Sequence, residues 1–176
     1  MAAGNGNEKS VVVLHKWASP PSSNSSTSDL SFDLECLKVE TYLRLAGIPH
    51  ETEVCPTPSS SPSSVLPCLE AGNGEYTVVG GLGDEIKNDS KVATYRILHH
   101  LKHECKNLNE GLSETDRARD VCFSSIANGI LNEACEYFTW THEGTFIEKT
   151  RPMYGSKYPF PLNRIVPNKW REKRGA

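Results

Sequence analysis

The chain has 176 residues, 37% hydrophobic, 23% charged and 8% aromatic, with a net charge of −3. That length fits one domain or two small ones, and the composition excludes a collagen-like or wholly disordered chain. The net charge conceals an asymmetry: residues 1–148 hold 11 Lys/Arg against 21 Asp/Glu, whereas residues 149–176 hold 8 against 1. No apolar run approaches the roughly 20 residues of a membrane-spanning helix, so none is expected.

The first ten residues, MAAGNGNEKS, are small and polar and lack the basic flank and apolar stretch of a secretory signal. Residues 1–10 are expected to be a flexible N-terminus. Residues 11–17, VVVLHKW, open with β-branched side chains and read as a strand. Residues 19–31 carry seven serines and two prolines and read as a loop. From about Phe32 to Ala46 the apolar residues Leu34, Leu37, Tyr42 and Leu45, flanked by Val39 and Leu43, recur at helical spacing. Gly47 supplies a stop and Pro49 prevents continuation.

Residues 50–55 (HETEVC) read as an edge-like strand, and 56–64 as a second Ser/Pro loop. Val65–Glu70 and Tyr76–Val79, joined across an Asn-Gly turn, predict a hairpin. After the glycines at 80, 81 and 83, a helix is predicted from about Asp89 to His103, with an apolar stripe through Val92, Tyr95 or Ala93, Leu98 and Leu101. This β-α-β, hairpin, helix order is the thioredoxin-like layout. In that layout Pro67, at the start of the third strand, is expected to follow a cis bond.

From Ser113 the pattern turns all-helical. Ser113 with Asp116 marks a helix start. Ala118, Val121, Cys122, Ile126, Ile130, Leu131, Ala134 and Phe138 form the stripe, and Tyr137, Phe138 and Trp140 end it as an aromatic cluster. A further helix is predicted over about Thr145–Met153, broken by Pro159-Phe160-Pro161-Leu162. The fold class is therefore α+β, with a thioredoxin-like domain over 11–107 and a helical domain over 112–176.

The six cysteines, Cys36, Cys55, Cys68, Cys105, Cys122 and Cys135, have no C-x-x-C spacing. In a chain of this length without a secretory signal they read as free thiols, mostly buried. His99, His100 and His103 with Cys105 raise a metal reading, since His99 and His103 are four apart. The nearby Lys102 and Lys106 oppose a cation, so no metal site is expected and an exposed helix end fits better. The basic end, Lys169 to Arg174 around Trp170, fits a solvated helix end or a surface for an acidic partner. An anionic membrane is the weaker reading, and nucleic acid is not expected as a partner.

Two segments carry a family resemblance. Cys36-Leu37-Lys38-Val39-Glu40-Thr41-Tyr42-Leu43-Arg44 through Pro49 is similar to the first-helix signature of the failed-axon-connections side of the metaxin branch, within the glutathione transferase superfamily. Tyr158-Pro159-Phe160-Pro161-Leu162 through Pro167 resembles the P-F-P-L-x-x-x-x-P segment of the metaxin helical domain. The resemblance implies a non-catalytic adaptor on the cytosolic face of the mitochondrial outer membrane, partnered by other proteins of an import or assembly complex that sorts β-barrel proteins. A cytoplasmic location is the alternative. It also implies a helical domain about a hundred residues longer than residues 112–176, making this a partial one. The metaxins of that membrane carry a C-terminal anchor helix that this chain lacks, so a truncated, non-functional fragment is a further reading.

The superfamily also raises an enzyme reading, with glutathione as the possible ligand and no other cofactor expected. It needs a hydroxyl or thiol near the start of the first helix. Ser19, Ser22, Ser23 and Ser31 are scattered through a loop, and Cys36 has Asp33 where a redox partner thiol would stand. Pro67 and the pair Asp89-Ser90 occupy the positions at which the superfamily binds glutathione, yet Asp-Ser is also an ordinary helix cap. For the adaptor reading, Trp140, Tyr154, Phe160, Leu162 and Trp170 are the expected partner contacts, as aromatic and apolar residues of a half-closed bundle.

Overall fold

A computed structural model describes residues 12–17, 30–71, 77–79 and 89–174. The first ten residues, three of the loop serines (Ser19, Ser22, Ser23), the Asn-Gly turn and the glycines at 80, 81 and 83 lie outside these. The chain divides into two compact units, Met1–Leu108 and Asn109–Ala176.

In the first unit, β1 (Val12–Trp17), α1 (Leu34–Ala46), β2 (His50–Cys55), β3 (Cys68–Ala71), β4 (Thr77–Val79) and α2 (Ser90–His100) follow in that order. The four strands form one mixed sheet, β2-β1-β3-β4. β1 is parallel to β2 and antiparallel to β3, and β3 and β4 are antiparallel. Together with the helical second unit this is an α+β architecture. The Leu66–Pro67 bond immediately before β3 is cis.

Asp33 caps α1: its carboxylate accepts from the Cys36 N–H at 3.0 Å. Gly47 ends the helix in the left-handed region (φ 65°), a conformation that costs a residue with a Cβ far more than glycine. Strand alternation divides β1 between two environments. Val12 and Leu14 face the helices and join Val39, Leu43, Leu69, Ala71, Ile97 and Leu101 in one core. Full burial of each Leu, Ile or Val stabilises by about 1.5–3 kcal/mol.

Lys16 continues the same face as Val12 and Leu14. Its side chain is 1% exposed and its Nζ donates to Glu40 Oε1 at 2.9 Å, where Glu40 is 0% exposed. Glu40 also accepts from Arg44 Nη2 at 2.6 Å and, through Oε2, from the Ser31 N–H at 3.1 Å.

The helices form where periodicity places them, but their buried faces are rotated from the apolar stripes of the sequence. In α1 the buried residues are Glu35, Cys36, Val39, Glu40, Leu43 and Ala46. Leu45 is exposed instead, because the inward face accommodates paired carboxylates. In α2 the buried positions are Ala93, Thr94 and Ile97, while Tyr95 is exposed. The helix then widens into a π turn over Leu101–Cys105.

The second unit begins with α3 (Glu114–Ile126), capped by Ser113. The helical path continues through α4 (Asn132–Glu136), α5 (Glu143–Thr145) and α6 (Arg151–Gly155), with π turns between them. Gly129 departs from helical geometry within the first of those turns. Next, α7 (Leu162–Lys173) follows a cis Phe160–Pro161 bond.

Pro167 lies inside α7 and has no N–H for the carbonyl four residues back, that of Asn163. This carbonyl faces Gly155, where an added Cβ would meet the Asn163 oxygen well inside contact distance. Gly155 and Pro167 thus allow α6 and α7 to approach backbone to backbone.

Replacing Gly155 by Ala should lower the stability of the second unit by about 1–3 kcal/mol, the usual cost of overpacking a closed contact. Urea unfolding followed by Trp140 and Trp170 fluorescence measures this. An unchanged midpoint would show that the approach is slack.

Candidate functional site

The thioredoxin-like reading directs attention to the start of α1. Cys36 is fully buried. Burial first, and the Asp33 carboxylate second, push its thiol well above the usual range. The helix N-terminus, which elsewhere activates a thiol, is here taken up by Asp33. Cys36 therefore remains a protonated packing residue. Ser31 is also buried, and its N–H is bonded to Glu40.

At α2, the Asp89 carboxylate accepts from the Lys91 N–H at 2.9 Å and the Val92 N–H at 3.4 Å. The donors that would otherwise receive a ligand carboxylate thus already have one. Ser90 is partly exposed, and its carbonyl accepts from Thr94 Oγ1. Pro67 is fully buried.

The other face of the sheet assembles a polar group that the sequence did not single out. His15 is buried, with Nδ1 3.4 Å from Glu53 Oε2 and Nε2 3.2 Å from Glu70 Oε2, the latter without hydrogen-bond alignment. Cys55 Sγ lies 3.9 Å from His15 Nδ1. A thiol beside an imidazole resembles a nucleophile with its base. Burial and the neighbouring Glu53 instead push the Cys55 thiol up to about 11, which keeps it protonated at neutral pH. Register is the missed signal: β1 pairs His15 with Glu53 on one side and with Cys68 on the other.

His99 and His103 stack with ring centroids 4.2 Å apart. Among the described residues, no group of three His, Cys, Asp or Glu side chains is arranged to hold a metal ion.

In the second unit, aromatic residues form a small core. Trp140 (4% exposed), Phe146 and Tyr154 are buried. Trp140 contacts Tyr154 at 4.9 Å between ring centroids, and Tyr154 meets Trp170 edge-on at 6.0 Å. Arg171 lies over Phe146 and Arg174 over Trp140, at 4.6 and 4.1 Å from the ring centres. Such cation–π contacts contribute about 0.5–2 kcal/mol each.

This corrects two of the expected partner contacts. Trp140 and Tyr154 are interior residues, because they pack on one another and on the neighbouring rings of Phe146 and Trp170. Of the remaining three, Phe160 and Leu162 are exposed and Trp170 is partly buried. The surface instead carries much of the predicted stripe: Val121, Ile126, Ile130, Leu131 and Phe138 are all exposed, Ile130 at 74%. None of α3 is buried.

Comparison with known proteins agrees with these two signatures. The family Tom37, described as outer mitochondrial membrane transport complex protein, matches residues 36–171. Metaxin-1 of Bos taurus is 31% identical over 139 residues, covering 79% of this chain and 39% of that protein. Metaxin-2 of Homo sapiens is 31% identical over 149 residues, covering 82% of this chain and 51% of its own length. Metaxin-1 of Homo sapiens is 30% identical, with 27% of its length covered. The chain thus spans about a quarter to a half of these relatives. No solved structure matches it. With most of its length covered by that match, including both signature segments, the chain belongs to the Tom37/metaxin family.

Proposed function

We propose that the chain is a non-catalytic adaptor in an outer mitochondrial membrane transport complex, acting in protein import or in sorting and assembly of β-barrel proteins. In this reading it works on the cytosolic face, through surfaces and without covalent chemistry. Family membership supplies the setting. The observation that carries the reading is the set of exposed apolar side chains from Val121 to Phe138, opposed by nothing else described in their own unit. So many large apolar side chains left exposed along one helical stretch favour a protein partner. Val121, Ile126, Ile130 and Phe138 are its proposed contacts with another subunit. Of the positions expected from the sequence, Phe160 and Leu162 are also exposed in the later part of the unit, while Trp170 packs on Tyr154.

A glutathione-dependent enzyme finds less support. The helix donors that would receive the glutathione carboxylate are capped by Asp89, and the thiol at the expected place is buried and protonated.

Two measurements test this reading. Tagged full chain expressed in cells should co-fractionate with mitochondria and migrate in a large complex on native gels. Ile126→Glu with Ile130→Glu should remove that migration, whereas Tyr95→Glu should not. A chain that remains monomeric, or a complex indifferent to the double variant, would overturn the reading.

Second, iodoacetamide at pH 8 should modify Cys105, Cys122 and Cys135, which are exposed, and spare Cys36, Cys55 and Cys68 until denaturant is added. Rapid native labelling of Cys36 would reopen the enzyme reading.

A further inference from the structure

The segment 157–173 has two sides of different chemistry. On the inner side of α7, Pro167 is buried, Trp170 packs on Tyr154, and Arg171 and Arg174 lie over rings. Arg171 also donates to the Thr141 carbonyl at 2.8 Å, and Arg174 lies 3.8 Å from Glu136. These two cations therefore belong to the core of the unit.

The outer side is different. Leu162, Ile165, Lys169 and Lys173 follow at spacings of three and four, one stripe along the helix, and all four are exposed. Lys157 and Phe160 precede it in the turn, Phe160 77% exposed, whereas Arg164, three residues before Pro167 and seven before Arg171, lies toward the inner side, and Glu172 lies beside Lys169 on the outer one. Lys157, Arg164, Lys169 and Lys173 have no ion-pair partner among the described residues. Glu172 is the one acidic residue from 149 to the end. Three exposed cations thus share this side with three exposed apolar side chains.

We propose that this outer side of 157–173 is a docking surface for an anionic lipid bilayer. Lys157, Lys169 and Lys173 would meet headgroup phosphates, and Phe160, Leu162 and Ile165 would enter the boundary with the acyl chains. Charge complementarity selects a negative surface. Large apolar side chains interleaved with the cations select a bilayer over an acidic polypeptide, because each gains a nonaqueous environment just below the headgroups. No helix of the described residues is long and apolar enough to cross a membrane, and the contact proposed lies along the bilayer surface. The proposal deepens the complex-subunit reading and relies on it only for which membrane is met.

Flotation of the purified full chain with vesicles tests it. Phosphatidylcholine vesicles containing about one-third phosphatidylinositol should bind the chain, and pure phosphatidylcholine should not. Lys157→Glu, Lys169→Glu and Lys173→Glu together should lower the partition constant by about tenfold or more. Phe160→Ser with Ile165→Ser should lower it several-fold without changing its salt dependence. Replacing Lys157, Lys169 and Lys173 by Arg should preserve binding, and circular dichroism should show that each variant folds. Binding of equal strength to neutral vesicles, or indifference to the charge reversal, would overturn the proposal. So would binding of polyglutamate with no vesicle binding. Because the vesicles contain no mitochondrial protein, failure here is distinct from failure of complex formation.

Discussion

The first unit depends on an ion pair that has no contact with water. Lys16 and Glu40 lie where the sheet meets α1, and taking two such charges out of water costs several kcal/mol per ion. The cost is offset only because Glu40 is surrounded by donors: Lys16 Nζ, Arg44 Nη2 and the Ser31 N–H. This arrangement fixes how α1 sits on β1. Sliding α1 by one turn, about 5.4 Å, would carry the Glu40 carboxylate out of reach of the Lys16 Nζ. The apolar core around Val39, Leu43 and Ile97 supplies most of the stabilisation, but apolar contacts tolerate such shifts better than a buried pair does.

The same interaction explains why the first family signature has the residues it has. Glu40 and Arg44 belong to the buried network, and Cys36 fills a site with no solvent access. Tyr42 donates to the Lys106 carbonyl at 2.7 Å, and Lys106 Nζ returns a bond to the Ala46 carbonyl, tying the end of α1 to the segment after α2. The second signature is also architectural. Pro167 leaves the Asn163 carbonyl without its helical donor, and Gly155 makes room for it. Both signatures therefore report a scaffold, and the one thiol in them, Cys36, is buried and held protonated. The recognition surfaces proposed above lie outside the first signature and, within the second, at Phe160 and Leu162.

Much of this was legible in the sequence. The strand at Val12, the helix ending at Gly47, the hairpin, the cis bond before Pro67 and the helix cap at Ser113 all follow from local chemistry. What was not legible depends on long-range pairing. A lysine in a strand looks like an edge residue until Glu40, 24 positions away, is placed opposite it. The buried face of α1 is misread by an apolar count because two of its members, Glu35 and Glu40, are acidic. Trp140 and Tyr154 are indistinguishable by type from the exposed Phe160. Which aromatic residues become core is decided by the α6–α7 approach, and no local pattern encodes that.

A double-mutant cycle at the buried pair tests the account most directly. Pulse labelling of Cys36 across a urea series reports unfolding of the first unit through a thiol that the native fold conceals. Glu40→Gln should destabilise by about 3–5 kcal/mol, because it takes the carboxylate from a buried ammonium; Lys16→Met should cost somewhat less, since Arg44 still pairs with Glu40, and the double variant should recover much of the loss. Single variants within about 1 kcal/mol of the parent, or losses that simply add, would contradict the claim that this pair organises the fold.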